Sequence, residues 1–366
     1  MKLFYIDPQS YNNLADYDRY LLANVQDVEK HFFCSNNFTE LLDSNIKIDK
    51  CFSYNNLSGV KKIFSYICTL VYVCNMVKKN QPDVVHFQWF KIPLFDLCVL
   101  KQIKRISPES KIVFTAHNVL PHDTGDKYKK IYGKIYNFVD GIIVHGNRTK
   151  QSLVEAFGVA PDKVSVIPHG FLPRKSGRRG GRASDVLTFS LIGSLTKYKG
   201  VDLLVDAWTS CTTLSSSNTC RLIIAGSGKM DCLLAAEKCQ NIQVINKFLS
   251  DEELDEIVDQ TDVSILPYRE ISQSGVLLTM LAAHKPVIVS DVGDIIQPFA
   301  IAQCGWILPD VQVDTIRTVL EKIVEDSSSV TNIKNDSTLW EKIEQFYSWE
   351  DIGRKTTLFY HSLCMK

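Results

Sequence analysis

Short apolar runs recur along the chain between stretches of helical length, and most of them are bounded by Gly, Pro, Asn or Asp. They are residues 3–6, 84–87, 112–115, 141–144 and 164–167 in the first half, and 187–192, 221–225, 244–245, 263–266 and 286–289 in the second. Parallel strands covered on both faces are continuously apolar, and helices connect them. The pattern therefore predicts an α/β protein with two doubly wound parallel sheets.

The two series of runs predict two domains, because 366 residues exceed the roughly 100–200 residues of a single domain. We predict an N-terminal domain at residues 1–170, a linker at 171–186 and a C-terminal domain at 187–345. The linker is rich in Gly and Arg and lacks the interleaved aromatic residues of a nucleic-acid-binding arm, so no nucleic acid is expected as a partner. Residues 346–366 are predicted to form a final helix, which could pack back on the N-terminal domain.

Charge is distributed unevenly along the chain. The formal net charge is zero, yet the first 184 residues carry 26 Lys and Arg against 16 Asp and Glu, and the remainder carries 15 against 25. A basic half attracts polyanions such as nucleic acid, an anionic membrane surface or a phosphorylated acceptor. Charge alone does not choose among these partners.

Eleven scattered cysteines without a CxxC pair indicate reduced thiols rather than a disulfide framework or a zinc site. No signal peptide precedes the first predicted strand, so we expect a cytoplasmic protein. One apolar stretch, 63–77, lies between two pairs of lysines. At about 15 residues it is shorter than the roughly 20 that a membrane-spanning helix needs. It is expected to form either a core helix or a helix that contacts a membrane surface.

Three turns between a strand and a helix in the second half could bind an anion, because unpaired N–H groups and the helix dipole favour negative charge there. They are residues 191–200, 224–230 and 266–275. The first carries Lys197 and Lys199, and the third carries Arg269 together with a Ser-Gln-Ser-Gly turn. Exposed lysines, turn glycines and a simple helix cap would explain the same residues without a ligand.

Polar, titratable side chains follow the predicted strand 112–115 in the first half. They are His117, Asn118, His122 and Asp123, and His145 follows the next strand. A histidine at a strand end could donate a hydrogen bond to a sugar hydroxyl or transfer a proton near neutral pH. A histidine with a purely structural hydrogen bond is the alternative.

The order and spacing of these motifs resemble those of the family 4 glycosyltransferases over nearly the whole chain. Segments 82–88 (PDVVHFQ), 113–118 (VFTAHN), 143–146 (IVHG) and 164–170 (VSVIPHG) are similar to that family's N-terminal strand ends, and 191–204, 221–228, 243–267 and 276–292 to its donor domain. The resemblance implies the GT-B fold, in which two Rossmann-like domains face each other across a cleft. The first domain would hold the acceptor and the second the nucleotide-sugar donor.

The same resemblance assigns the site residues. The catalytic residues would be His117, Lys199 and Glu270, and the acceptor side would include Asn118, His122, Asp123 and His145. The donor would be bound by Gly193, Ser194, Lys197, Gly226, Lys247, Phe248, Arg269, Gln273, Ser274, Gly275, Val276 and Thr279. Lys199 would contact the donor diphosphate, the amides of Ser274 to Val276 would cradle it, and His117 would face the transferred sugar.

Two departures from the family pattern concern the donor. The family commonly carries Arg at the position of Ser194, and a Glu-x7-Glu pair where this chain has Ile271 and Thr279. Glu270 could replace the first acid after a one-residue shift. Thr279 could hydrogen-bond a ribose hydroxyl.

The sequence around residues 273–276 is similar to a bacterial subgroup that builds surface polysaccharides. It implies transfer of a hexose-type sugar from a UDP- or GDP-linked donor to a hydroxyl of a growing saccharide carried on a polyprenyl diphosphate. The reaction would be retaining and would need neither a metal nor a further cofactor, at the cytoplasmic face of the inner membrane. An oxidoreductase is one alternative, although no Gly for its fingerprint occurs before Gly59. A noncatalytic saccharide- or nucleotide-binding protein is the other.

Overall fold

The computed structural model describes residues 1–11, 13–54, 57–120, 125–172 and 186–365, with only the backbone described for Asn13, Gly125 and Asp126. The chain divides into two compact units. Unit 1 comprises Met1–Gly170 and Tyr347–Lys366, and unit 2 comprises Phe171–Phe346. Most of the predicted linker, residues 173–185, lies outside the described residues, as do His122 and Asp123 of the predicted acceptor side.

The described part of unit 1 contains a parallel sheet of seven strands in the order β3-β2-β1-β4-β5-β6-β7. Its strands are β1 Lys2–Asp7, β2 Glu29–Ser35, β3 Ile46–Phe52, β4 Val84–Phe87, β5 Lys111–Thr115, β6 Gly141–Val144 and β7 Val164–Val166. Its helices are α1 Asn13–Asn24, α2 Gly59–Asn80, α3 Pro93–Ile106, α4 Lys129–Phe138, α5 Asn147–Phe157 and, from the end of the chain, α14 Trp349–Cys364. Phe4 and Ile6 of β1 belong to one hydrophobic cluster and Leu3 and Tyr5 to another, so helices cover both faces of the sheet.

Within the described residues of unit 2, six parallel strands follow the order β10-β9-β8-β11-β12-β13. They are β8 Leu187–Ile192, β9 Cys220–Gly226, β10 Ile242–Asn246, β11 Val263–Leu266, β12 Val287–Ser290 and β13 Gly305–Leu308. The helices are α6 Val201–Thr209, α7 Thr212–Ser215, α8 Leu233–Ala236, α9 Asp251–Gln260, α10 Gly275–Ala282, α11 Val313–Glu325, α12 Ser328–Asn335 and α13 Ser337–Phe346. Both units therefore have the Rossmann-like architecture that the apolar runs predict.

All ten predicted apolar runs are strands, with ends within two residues of those predicted, but the sequence reading missed β2, β3 and β13. β2 opens with charged residues, and its Lys30 is tolerated in the interior because the ammonium donates to the carbonyl of Leu22 at 2.7 Å. β3 is an edge strand in which charged and apolar residues alternate, and β13 is the short, partly exposed edge strand of unit 2. β3 therefore lacks the continuous apolar run used for the prediction, whereas Gly-Trp-Ile-Leu of β13 is apolar and was overlooked.

The apolar stretch 63–77 lies inside α2, which has 22 residues, so the prediction that this segment is too short to cross a membrane was wrong. That prediction counted only the apolar run and left out the lysine-bearing ends. One side of α2 is buried in unit 1 through Tyr66, Thr69, Leu70, Val73 and Val77. The opposite side exposes Val60, Ile63, Phe64, Val71 and Tyr72. By length and composition α2 could cross a membrane, a criterion that core helices also meet.

The end of the chain completes unit 1, because α14 packs on the helical layer that contains α1. Ile352, Tyr360 and Leu363 are buried in this cluster. A Cβ on Gly353 would lie 2.2 Å from the carbonyl oxygen of Asn24, so the two helices approach as closely as a glycine allows.

Candidate functional site

Glycines at two strand ends bring the loops of unit 2 close together. Gly193 follows β8 with φ of +113°, and Gly226 ends β9 with φ of +140°. A Cβ on Gly226 would lie 1.9 Å from the carbonyl oxygen of Gly193, which no other residue could accommodate without a backbone shift. The carboxyl edge of the sheet therefore presents bare backbone to a ligand.

Lys199 lies at this edge, in a short 3₁₀ turn, Lys197–Lys199, between β8 and α6. Its side chain is only 9% exposed. Its Nζ lies 2.7 Å from the position of a Cβ on Gly193 and 5.3 Å from the centre of the Tyr268 ring. It forms no hydrogen bond or ion pair with another described residue, and burial lowers its pKa. A nearly buried ammonium without a counter-charge is a favourable place for an anion.

The N-terminus of α10 lies beside the same lysine. Ser274 caps this helix, with its hydroxyl accepting a hydrogen bond from the Leu277 amide at 3.2 Å. Val276 Cγ2 is 3.6 Å from the Cβ position on Gly193 that also meets Lys199. Because first-turn amides of a helix have no partner within it, the amides of Gly275 and Val276 can bind the same anion as Lys199.

Arg269 has a protein partner, which the sequence reading did not foresee. Its guanidinium donates two hydrogen bonds of 2.8 Å to the carboxylate oxygens of Asp202, in the first turn of α6, and one to the carbonyl of Lys197. Burial would raise the pKa of Asp202, but the Arg269 hydrogen bonds outweigh it and lower that pKa. The guanidinium that was predicted to face the diphosphate is thus paired with Asp202, and donor binding by Arg269 stays a prediction.

Backbone hydrogen bonds join the three predicted anion-binding turns. The Leu195 amide donates to the carbonyl of Ser227 at 2.9 Å, and the Arg269 amide donates to that of Tyr198 at 2.7 Å. The remaining predicted donor residues are either exposed or already bonded. Ser194, Lys197, Glu270 and Phe248 are exposed, Gln273 is partly buried, Lys247 pairs with Glu253, and Thr279 donates to the carbonyl of Gly275 at 3.0 Å. Lys247 and Phe248 follow β10, the edge strand, and their contact with a base stays a prediction.

His117 of unit 1 sits in a network of rings just beyond β5. Its ring stacks on Trp89 at 4.7 Å between centroids and 6° between planes. Nε2 lies 2.9 Å from Gln88 Oε1, and Nδ1 lies 3.1 Å from His145 Nε2. His145 Nδ1 in turn lies 2.9 Å from the carbonyl oxygen of Ile167.

These contacts determine where the protons lie. The Ile167 carbonyl only accepts, so His145 carries its proton on Nδ1 and its Nε2 accepts from His117 Nδ1–H. Burial lowers the pKa of His145 to about 3 and holds that of His117 well below its ordinary range, so both rings are neutral. A neutral His117 then accepts at Nε2, which requires the Gln88 amide to be flipped, so that its NH₂ group faces His117 and its oxygen takes the place now held by Nε2 beside His86 Nε2 and the Thr115 hydroxyl. Both nitrogens of His117 are thus engaged within unit 1, which favours a positioning role over proton transfer.

A cavity of about 350 Å³ opens beside His117 and Asn118. It is lined by Gln9, Trp89, Phe90, Lys91, Pro93, Phe114, Thr115, His117, Asn118, Tyr128 and Tyr132. We call it cavity A. Mostly aromatic walls with a few polar groups are typical of small-molecule sites, and sugars stack on such rings. His145 is 3% exposed and lies behind His117, so it supports the cavity rather than lining it.

Several residues of these sites escaped the sequence reading. Tyr128 and Tyr132 are four residues apart, a spacing that could have placed them on one helical face. Asp202 had no local signal, because its partner Arg269 is 67 residues away, and Lys91 matched no motif in the sequence. The described residues contain no group of three or more His, Cys, Asp or Glu that could hold a metal ion.

Comparison with known proteins matches both halves of the chain to glycosyltransferases. The model of the family described as Glycosyltransferase Family 4 matches residues 26–173, and that of Glycosyl transferases group 1 matches residues 187–326. An uncharacterised glycosyltransferase of Methanocaldococcus jannaschii is 27% identical over 60% of this chain and 59% of its own length. The GPI3 subunit of phosphatidylinositol N-acetylglucosaminyltransferase from Saccharomyces cerevisiae is 21% identical over 69% and 58%. The matches thus span less than two thirds of these relatives.

Solved structures share the fold across the whole chain. Sucrose-phosphate synthase from Thermosynechococcus elongatus has a TM-score of 0.72 and 14% identity, covering 99% of both chains. Anabaena HepE in complex with UDP and glucose has a TM-score of 0.70 and 14% identity, covering 99% of this chain and 100% of its own. The lipopolysaccharide outer core galactosyltransferase WaaB has a TM-score of 0.69 and 16% identity, with the same coverage. With family models matched in both halves, the chain belongs to the group 1, family 4 glycosyltransferases and has their GT-B fold.

Proposed function

We propose that this protein transfers a hexose-type sugar from a UDP- or GDP-linked donor to a hydroxyl of a lipid-linked saccharide in surface-polysaccharide synthesis. The anomeric configuration is retained, and neither a metal nor a further cofactor takes part. The solved structure of HepE contains UDP and glucose, and WaaB is a lipopolysaccharide galactosyltransferase, which supports a nucleotide-sugar donor and a surface glycan. The GPI3 relative is named for phosphatidylinositol, which supports an acceptor on a lipid.

The observation that carries this proposal is the unpaired ammonium of Lys199 beside the N-terminus of α10. The donor diphosphate would supply the counter-charge that Lys199 lacks, and its oxygens would accept hydrogen bonds from the amides of Gly275 and Val276. When the glycosidic bond of the donor breaks, negative charge grows on the diphosphate, and the same groups stabilise it more strongly. Catalysis then consists of positioning and of stabilising the leaving group.

The acceptor is proposed to enter cavity A of unit 1, where Trp89 and His117 form a stacked pair and Asn118 supplies a polar edge. The lipid is proposed to reach the protein at α2, whose outer face exposes Val60 by 82% and Phe64 by 68%. Lysines near both ends of α2 would bind the anionic headgroups of the cytoplasmic leaflet.

Titration with UDP, GDP and their sugars tests the donor part. We expect one nucleotide family to bind native protein and to raise its melting temperature. Lys199→Ala should weaken binding by roughly 10- to 100-fold, the effect of one charged hydrogen bond, and lower turnover further. Stability should not fall, because the variant removes an uncompensated buried charge. Lys238→Ala, an exposed lysine of unit 2, is the matched control.

Transfer itself is tested with a saccharide on a polyprenyl diphosphate, following the product by mass and its anomeric configuration by NMR. Activity in excess EDTA is expected to equal that without it. Equal nucleotide affinity of native protein and Lys199→Ala would remove the basis of the proposal. Nucleotide binding without transfer to any acceptor would instead favour a noncatalytic binding protein.

A further inference from the structure

Lys91 lies between two cavities of unit 1. It lines cavity A together with Trp89, and it also lines a second cavity of about 220 Å³, which we call cavity B. Cavity B is lined by Tyr11, Tyr54, Lys62, Ile63, Tyr66, Lys91 and Ile92. The two cavities therefore share this lysine as a common wall.

The Lys91 ammonium forms no ion pair with a described residue, although the carboxyl groups of Asp7 and Asp96 are near enough to interact with it electrostatically. Asp96 already accepts hydrogen bonds of 2.8 Å from the Tyr66 hydroxyl and the Ile92 amide, and Asp7 accepts one of 2.5 Å from the Gln9 amide. Neither carboxyl forms an ion pair with Lys91 among the described residues. Burial raises the pKa of Asp96 to about 7 and that of Asp7 to about 6, so Asp96 carries only part of its negative charge near neutral pH while Asp7 stays mostly ionised.

A second cation makes the same region more positive. Lys62 of α2 lines cavity B, with its Nζ 5.6 Å from the centre of the Tyr54 ring. Lys91 is exposed overall, but desolvation of its ammonium by the cavity walls lowers its pKa to about 8. Repulsion from the Lys62 ammonium adds to this effect, whereas Asp7 and Asp96 act in the opposite direction. Two cations that line one cavity, neither of them in an ion pair with a described residue, form a site for a doubly charged oxyanion.

We propose that Lys91, assisted by Lys62, binds a phosphoryl or diphosphate group attached to the acceptor. This inference rests on the proposed function, because the acceptor sugar would occupy cavity A. The phosphoryl or diphosphate group would then lie at Lys91, next to the sugar in cavity A. Ile63 lines cavity B and is 50% exposed, and Phe64 follows it on the outer face of α2. A lipid attached to the phosphate would thus leave cavity B directly onto the face proposed to contact the membrane.

Calorimetric titration of the full chain with pyrophosphate tests this site, with the donor site filled by its nucleotide or disabled by Lys199→Ala. Lys91→Ala should weaken binding about tenfold, as expected for one charge-assisted contact, and Lys91→Arg should keep most of the affinity. Lys101→Ala, an exposed lysine on α3, should bind as native protein does. A parallel arm uses phosphatidylcholine vesicles with and without polyprenyl diphosphate.

Binding that depends on Lys91 in the vesicle arm alone identifies the ligand as lipid-borne, and dependence in the pyrophosphate arm alone identifies a soluble one. Either result supports the site. Equal affinity of native protein and Lys91→Ala in both arms overturns it, as does the absence of binding in both. Nucleotide titration of Lys91→Ala separates the two proposals, because donor binding should be intact in that variant whatever the outcome at Lys91.

Discussion

The missing side chain of Gly193 leaves the space that the Lys199 ammonium occupies. Its φ of +113° is costly for any other residue, and an added Cβ would meet Lys199 Nζ at 2.7 Å. Gly193→Ala should therefore displace the ammonium and weaken nucleotide binding about tenfold or more, measured by titration. Gly158→Ala is the control, since Gly158 has φ of +63° and open space around its Cβ position. Unchanged nucleotide affinity in Gly193→Ala would place the anion elsewhere.

His86 should make stability depend on pH. It is fully buried between Tyr360 and Thr115, and burial lowers its pKa to about 3. The unfolded chain takes up a proton near pH 6.5, so the stability that His86 contributes is complete above about pH 6.5 and is lost as pH falls. Asp7 and Asp96 have raised pKa values and act in the opposite direction, so native protein and a variant must be compared.

His86→Gln should reduce the rise of the unfolding free energy with pH by about 1.4 kcal/mol per unit between roughly pH 4.5 and 6. Urea denaturation at several pH values measures it. Ser362→Gln, at an exposed position of α14, should keep the native slope because it removes no titrating group. The same slope in His86→Gln as in native protein would show that His86 is protonated in the folded state.

The sequence located single candidates in the site but not their partners. Lys199 and His117 were found because each follows an apolar run at a strand end. Gln88 and His145 lie 29 and 28 residues from His117, and Asp202 lies 67 residues from Arg269, so no local pattern relates them. Parallel strands bring such residues together only after the sheet has formed.

Two serine caps of unit 2 make it possible to distinguish a role of α10 in nucleotide binding from the loss of stability that any lost helix cap causes. Ser274 caps α10 at the proposed donor site, and Ser250 caps α9 in a capping box with Glu253. Replacing either serine by alanine should cost about 1 kcal/mol of unfolding free energy. Only Ser274→Ala should also weaken nucleotide binding, because the amides of Gly275 and Val276 lose their fixed direction. Equal nucleotide affinity of the two variants would exclude the α10 terminus as part of the site.

The outer face of α2 is the element on which membrane contact depends. Phe64→Ser should lower binding to vesicles that contain phosphatidylglycerol about tenfold, because a large apolar side chain no longer enters the interface. Leu234→Ser is matched in exposure, at 65% against 68% for Phe64, but lies in unit 2 and should bind like native protein. Sedimentation with vesicles measures both. Equal binding of Phe64→Ser and native protein would contradict contact through this face.

Strands and helices were predictable to different extents for physical reasons. The central strands are buried on both faces and show as continuous apolar runs, whereas β3 keeps lysines on its exposed side. The length of α2 was underestimated because its ends carry lysines that extend into water while the backbone continues the helix. Burial, more than propensity, determined which elements the pattern could show.

Unit 1 is built from both ends of the chain, because the last twenty residues return to it after unit 2. Ile352, Tyr360 and Leu363 fill the cluster that also holds Tyr5 and Val113, and Tyr360 meets His86 Nδ1 at 2.6 Å. Removing these side chains would leave a large cavity in unit 1 and deprive Nδ1 of the buried His86 of its hydrogen-bond partner. Unit 2 loses no core residue.

Deletion of residues 347–366 should therefore unfold unit 1 and leave unit 2 folded and able to bind the donor nucleotide. Hydrogen exchange should show loss of amide protection in β1 to β7 and native protection in β8 to β13. Deletion of residues 365–366, beyond the end of α14, is the control and should change neither unit. Native protection of β1 to β7 in the longer deletion would mean that the core of unit 1 forms without α14, and nucleotide binding lost in that variant would mean that unit 2 depends on unit 1.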